Sequence, residues 1–176
     1  MRFTVLFVLT TLACFAGDPW KMSPSRWTDG DAKLILNSSP WAKRVGETKV
    51  TIRWESARPI RLALARLNAK QMIDDNQSCY AVAVVGLTLS DDLQRPEATL
   101  KATGRRPLAA SDVRIQDGIV LFLFPRSEEV AEPIVFRFPL GLKIGNAVEF
   151  QARIGAASIR QKFSLKSMSY MGTPEF

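Results

Sequence analysis

The side chains in this chain best suited to chemistry are carboxylates standing next to each other: Asp74-Asp75, Asp91-Asp92 and Glu128-Glu129. Paired carboxylates do general acid and base work when they share a pocket, but neighbours on a strand point to opposite faces. Each pair also falls between apolar segments, where solvated turn residues are expected. Ser164-Leu165-Lys166-Ser167 supplies the residue types of serine-lysine catalysis, yet no glycine-rich turn that would hold an oxyanion accompanies it. The chain has no histidine, which removes Ser-His-Asp and Cys-His catalysis and the commonest metal ligand. Asp74-Asp75-Asn76-Gln77 offers oxygens without EF-hand spacing, and Asp29-Gly30-Asp31 reads as helix capping. No catalytic residue, cofactor or metal is implied.

Aromatic residues carry the next signal, because Trp20, Trp27, Trp41 and Trp54 all fall in the first third of the chain. Trp54 shares a strand face with Val50 and Ile52 and belongs in a core. Trp20, Trp27 and Trp41 stand in or beside irregular segments. Rings in such places either staple an arm onto a sheet or offer a contact surface to a partner protein or a sugar. The second reading makes these three the candidate partner-contact residues.

The start of the chain concerns location. Arg2 is followed by an apolar run from Thr4 to Leu12 and by the small-residue stretch Ala13-Cys14-Phe15-Ala16-Gly17. That is the pattern of a cleaved signal peptide over residues 1–17 and predicts a periplasmic or secreted protein. The run is far below the roughly 20 apolar residues of a membrane-spanning helix, and no later stretch approaches that length. Cleavage after Ala16 or Gly17 leaves Cys79 as a lone, inert thiol. Alternatively, Thr11-Leu12-Ala13-Cys14 resembles a bacterial lipobox, with Thr11 in the place of its usual leucine, and Cys14 is then lipidated. The formal net charge is +7, spread over many segments as in Lys43-Arg44, Arg58, Arg105-Arg106 and Arg160. Outside the cytoplasm the anions within reach are phospholipid head groups, acidic glycans and other proteins, not nucleic acid.

The elements that must position these residues follow from periodicity. An arm from Asp18 to Arg26 has no period and should run extended. Thr28 then caps a short helix, with Asp31 three residues on in an imperfect capping box and Asn37-Ser38-Ser39-Pro40 ending it. Lys49 to Glu55 alternates as a half-buried strand. From Pro59 a second helix sets Ile60, Ala63, Leu64 and Leu67 on one face and Arg61, Arg66 and Lys70 on the other. Tyr80 to Leu89 and Ile119 to Phe124 are apolar on both faces, as central strands are. Asp117-Gly118 before the second run signals a hairpin. Ile134 to Leu140 alternates as an edge strand ending at Pro139. Val148, Phe150, Ala152 and Ile154 face Ile159, Phe163 and Leu165 across a turn at Gly155-Ala156-Ala157, with Gln161 marking a bulge or a sheet rim. These elements predict an α+β, mostly β domain: an antiparallel sheet or sandwich with two short helices. Residues 18–48 form its tryptophan-containing arm and first helix, packed as one unit with the β-rich part from 49 to 176.

Four stretches also carry a likeness: Asp18-Pro19-Trp20, Arg26-Trp27-Thr28, the run from Ile35 to Ala42 with its S-P-W-A turn, and the R-W-E-S-A corner Arg53 to Ala57. Together they resemble the opening of a group of uncharacterised secreted bacterial proteins. A weaker echo lies in Leu123 to Arg126 and Phe163 to Met168. The resemblance implies a secreted or envelope location and carries over no activity, cofactor or catalytic residue. The leading expectation is a non-catalytic binding or assembly module of the cell envelope, with an envelope protein or glycan as partner. Two alternatives stand beside it: an envelope-polymer enzyme using carboxylate or serine-lysine chemistry, and anionic lipid or glycan binding through the basic helix Pro59 to Lys70.

Overall fold

The computed structural model describes residues 17–69, 71–72, 79–89, 95–102, 106–126 and 147–176. Residues 1–16 of the expected signal peptide with Cys14, all three carboxylate pairs, Lys70, Arg105 and the expected strand Ile134 to Leu140 lie outside the described residues.

The arm departs from the extended form expected of it. Prolines at the start of Pro19–Lys21 and Pro24–Arg26 fix φ near the helical value, and each segment closes a single 3₁₀ turn. Helix α1, Asp29–Asn37, starts at a complete capping box in which Thr28 and Asp31 exchange bonds. The Thr28 amide and hydroxyl hold the Asp31 carboxyl below the usual carboxylate range. Helix α2, Arg58–Arg66, carries proline in its first turn, buries Ile60, Ala63 and Leu64, and packs on α1.

Three strands precede and follow α2: β1 Ala42–Arg44, β2 Thr51–Trp54 and β3 Cys79–Val85. Next come β4 Glu97–Ala102, β5 Leu108–Ala109, β6 Asp112–Gln116 and β7 Ile119–Pro125. The last are β8 Ala147–Ile154, β9 Ala157–Ser164 and the small pair β10 Ser169–Tyr170 and β11 Thr173–Pro174. All pairing is antiparallel among the described residues, in a five-stranded sheet β1-β2-β3-β7-β6 and a four-stranded sheet β5-β4-β8-β9. The fold is therefore α+β and dominated by antiparallel strands, as the sequence pattern predicts.

Turn chemistry sets the registers. Asp117 and Gly118, at φ 50° and 74°, make the predicted hairpin between β6 and β7. Gly86 ends β3 early at φ 88°, where a Cβ would stand 2.6 Å from the Lys49 carbonyl oxygen. The β8–β9 register runs unbroken from Ala147↔Ser164 to Ile154↔Ala157. Gln161 therefore marks no bulge; it lies on the rim strand of its sheet, opposite Phe150.

The two sheets share one core. Phe122 and Phe124 of β7 meet Phe150 of β8 at centroid distances of 5.8 and 6.4 Å, and Trp54 of β2 meets Phe163 of β9 at 5.9 Å. Trp27, Trp41 and the apolar faces of both helices join the same cluster. No helix among the described residues is long and apolar enough to cross a membrane.

Candidate functional site

The outward faces of the two sheets differ in chemistry. On the four-stranded sheet, strand alternation brings every second residue of β4, β8 and β9 outward, and register aligns them in rows. Glu97 stands opposite Arg153 and Arg153 opposite Ser158; Thr99 opposite Gln151 and Gln151 opposite Arg160. A third row is Lys101, Glu149 and Lys162. The first two rows line a shallow groove of about 190 Å³. Arg160 Nε lies 3.4 Å from Glu149 Oε1, and the Gln151 amide donates to the same oxygen. Glu149 thereby orients Gln151 on its own strand and Arg160 on β9. Four cations, Lys101, Arg153, Arg160 and Lys162, stand against two carboxylates, so the face is net positive. Guanidinium groups grip carboxylates, while the hydroxyls of Thr99 and Ser158, the Gln151 amide and the Glu97 carboxylate can bond ligand hydroxyls. This is equipment for holding a ligand.

On the five-stranded sheet the outward face is sealed. Ala81 and Ala83 of β3 and Leu121 and Leu123 of β7 are buried there, with Met72 and Cys79 packed against them. Arg53, opposite Ala83, is buried on the same face and bonds Glu55 through Nε at 2.7 Å and Nη2 at 2.5 Å. All four residues of β2 are buried, which corrects the half-buried reading of Lys49 to Glu55. Burial pushes the Glu55 carboxyl up, and the Arg53 charge pulls the other way. A half-buried strand would have left these two charges in solvent. Their signal was opposite charges two apart on one strand side, a spacing that suits a pair as well as it suits solvent.

The three tryptophans of the arm gather near Tyr170, but two of them are sealed inside. Trp27 and Trp41 are 2% and 0% exposed, which corrects their reading as a partner-contact surface, because a sealed ring has no face to offer. They are staples: Trp27 Nε1 donates to the Pro19 carbonyl at 2.8 Å and Trp41 Nε1 to the Glu175 carbonyl at 2.5 Å. Both rings meet Tyr170 edge-on, and half-buried Trp20 meets Trp41 at 6.4 Å. Burial also raises the Tyr170 hydroxyl above the usual tyrosine range. On α2, Arg66 is tied to Asp29 at 3.4 Å across the helix pair. Ser164 and Lys166 are exposed, and the Ser167 hydroxyl donates to the Ser164 carbonyl at 2.8 Å. Cys79 is half-buried and its thiol is pushed up by burial, opposed by Arg126 and Arg114. Among the described residues, no three histidine, cysteine, aspartate or glutamate side chains converge as a metal site would require.

The chain matches no protein-family model, no curated protein and no solved structure. Among the described residues, the groove across β4, β8 and β9 is a surface whose polar side chains are both grouped and open to a ligand.

Proposed function

We propose that the chain is a non-catalytic binding or assembly module of the cell envelope, holding an acidic glycan on the outer face of its four-stranded sheet. The observation that carries this reading is the groove over β4, β8 and β9, where Arg153 and Arg160 stand among the hydroxyl and amide groups of Thr99, Ser158 and Gln151. A polymer bearing carboxylates and hydroxyls matches that set of donors and acceptors, and a flat sheet face suits an extended chain. The extracytoplasmic address belongs to the same proposal and is supported by the apolar run Thr4 to Leu12 with the small residues after it. The enzyme alternative has less behind it, since Ser164 and Lys166 are joined by no hydrogen bond and lie on an open strand end. The basic-helix alternative is weakened by the Arg66–Asp29 pair, which cancels one of its charges locally.

Retention on an immobilised polyuronate, eluted stepwise with salt, tests the reading. The intact chain should be retained at low salt and released as charge attraction is screened. A variant carrying Arg153→Glu, Arg160→Glu and Lys162→Glu should lose at least about tenfold in retention, each such surface change costing about 0.5 kcal/mol or less of stability. Equal retention of the two proteins would exclude this face.

A further inference from the structure

Helix α2 lacks a cap from its own neighbourhood. Ala57 stands at its N-cap, makes no side-chain bond, and no acidic residue occupies the first turn. The missing acceptor arrives from 117 residues away, where Glu175 Oε2 takes the Arg58 amide hydrogen at 3.2 Å. The backbone around that carboxylate is gripped as well. The Glu175 amide donates to the Met168 carbonyl at 2.9 Å, and Trp41 Nε1 donates to the Glu175 carbonyl at 2.5 Å. Phe176 then lays its ring 6.4 Å from Trp54 and 6.5 Å from Tyr80. Arg126 lies 4.4 Å over the Tyr80 ring and donates through Nη2 to the Phe176 backbone oxygen.

These are the parts of a peptide-recognition site: framework donors for a ligand's main chain, a helix N-terminus for an acidic side chain, and a ring-lined slot for an aromatic one. The segment that fills it follows a short hairpin whose Tyr170 is buried against Trp27 and Trp41. The β10–β11 hairpin has two residue pairs, and its turn holds exposed Met171 at φ 51°, a left-handed conformation that costs a long side chain energy. From these contacts we infer that the slot formed by Trp54, Tyr80, Arg126 and the α2 N-terminus is a peptide-binding site that Glu175–Phe176 occupies in cis. Its external ligand is an extended peptide with an acidic residue followed by an aromatic one. Such a ligand competes with a tethered segment whose effective concentration is on the order of millimolar. The site therefore opens only to a partner that displaces Glu175–Phe176. This inference is independent of the glycan reading and involves none of the groove residues.

The test uses the acetylated peptide Gly-Thr-Pro-Glu-Phe, which has no tryptophan, and follows the protein's own tryptophan fluorescence. A Glu175→Ala, Phe176→Ala double variant should melt about 10 °C below the intact chain, as expected for truncation of a buried ring. It should bind the peptide saturably and regain part of the lost melting temperature. The intact chain should need at least about 100-fold more peptide for the same response, and a peptide ending in Ala should be inert. A folded variant that ignores the peptide, or equal affinity in both proteins, would overturn the proposal. Where the variant does not unfold cooperatively, a peptide with a photoreactive benzophenone in place of its Phe ring is presented at millimolar concentration to the intact chain. Crosslinks at Trp54, Tyr80 or Arg126 support the site; crosslinks elsewhere or none reject it.

Discussion

The two sheets present outward faces built from the same strand geometry and used in opposite ways. On the five-stranded sheet, Ala81, Ala83, Leu121 and Leu123 are buried and the ion pair Arg53–Glu55 is sealed with them. On the four-stranded sheet, Thr99, Gln151, Arg153 and Arg160 lie open around a groove. Both sheets contribute to the same inner core through Phe122, Phe124, Phe150 and Phe163. The difference lies in what each second face asks of a charge. Charges beneath a cover need a partner, because desolvation is opposed only by pairing. Those on the open face keep their hydration and remain free to exchange it for a ligand. Stability is concentrated on one face, and recognition is proposed for the other.

The largest effect that would break this contrast comes from placing a charge on each side. Ala83→Lys sets an ammonium beside Arg53 in a buried position and should cost more than about 4 kcal/mol, enough to abolish cooperative urea unfolding. Thr99→Lys on the open face should change stability by less than about 0.5 kcal/mol. Similar losses from the two would show that the faces are not differently solvated.

A somewhat smaller effect is expected from the ion pair. Glu55→Ala leaves Arg53 buried without its acceptor and should cost about 3–5 kcal/mol in urea denaturation. Replacing both, as Arg53→Met with Glu55→Leu, should recover most of that loss, since a matched apolar pair removes the desolvation cost. A double variant as weak as the single one would mean that the pair organises the corner into α2 by more than its own bond.

The same carboxylate sets a pH dependence. Burial raises Glu55 above its ordinary value, with Arg53 opposing. A group with a raised folded pKa favours the native state while protonated. Its contribution is full below the ordinary glutamate value of about 4.3 and is lost as pH rises through the raised value. Urea midpoints between about pH 4 and pH 7 should thus fall for the intact chain through this window, and Glu55→Gln should remove that part of the slope. Thr99→Glu, on the open face, should add no such step.

The smallest effect lies in the turn between β10 and β11, outside both large sheets. Met171 sits in a left-handed turn conformation with its side chain in solvent, so Met171→Gly should raise stability by about 0.5–1 kcal/mol in thermal melts. A loss instead would show that the methionine side chain contributes contacts that outweigh its backbone strain.

Much of the framework was legible because its causes are local. Thr28 and Asp31 lie three apart, as a capping box requires, and Asp117-Gly118 carries the conformational freedom of its turn. The two faces of the contrast were also foreshadowed. The apolar runs around Ala81 to Val85 and Val120 to Phe124 read as strands covered on both sides, while the alternation of Val148, Phe150, Ala152 and Ile154 reads as one covered side. What failed was the fate of particular polar and aromatic groups. Arg53 and Glu55 looked like a wet face, and Trp27 and Trp41 looked as available to a partner as to the core. The acceptor at the start of α2 had no local trace at all, because Glu175 stands 117 positions away.

Sequence by itself determined the class of the fold, the cap of α1 and the hairpin turn, all of which arise from patterns and interactions among residues a few positions apart. Tertiary structure alone decided which faces are covered, which charges must pair, and what fills the slot beside Trp54 and Tyr80. Exposure is a property of whatever packs over a residue, and in this chain the covering groups come from distant parts of the sequence.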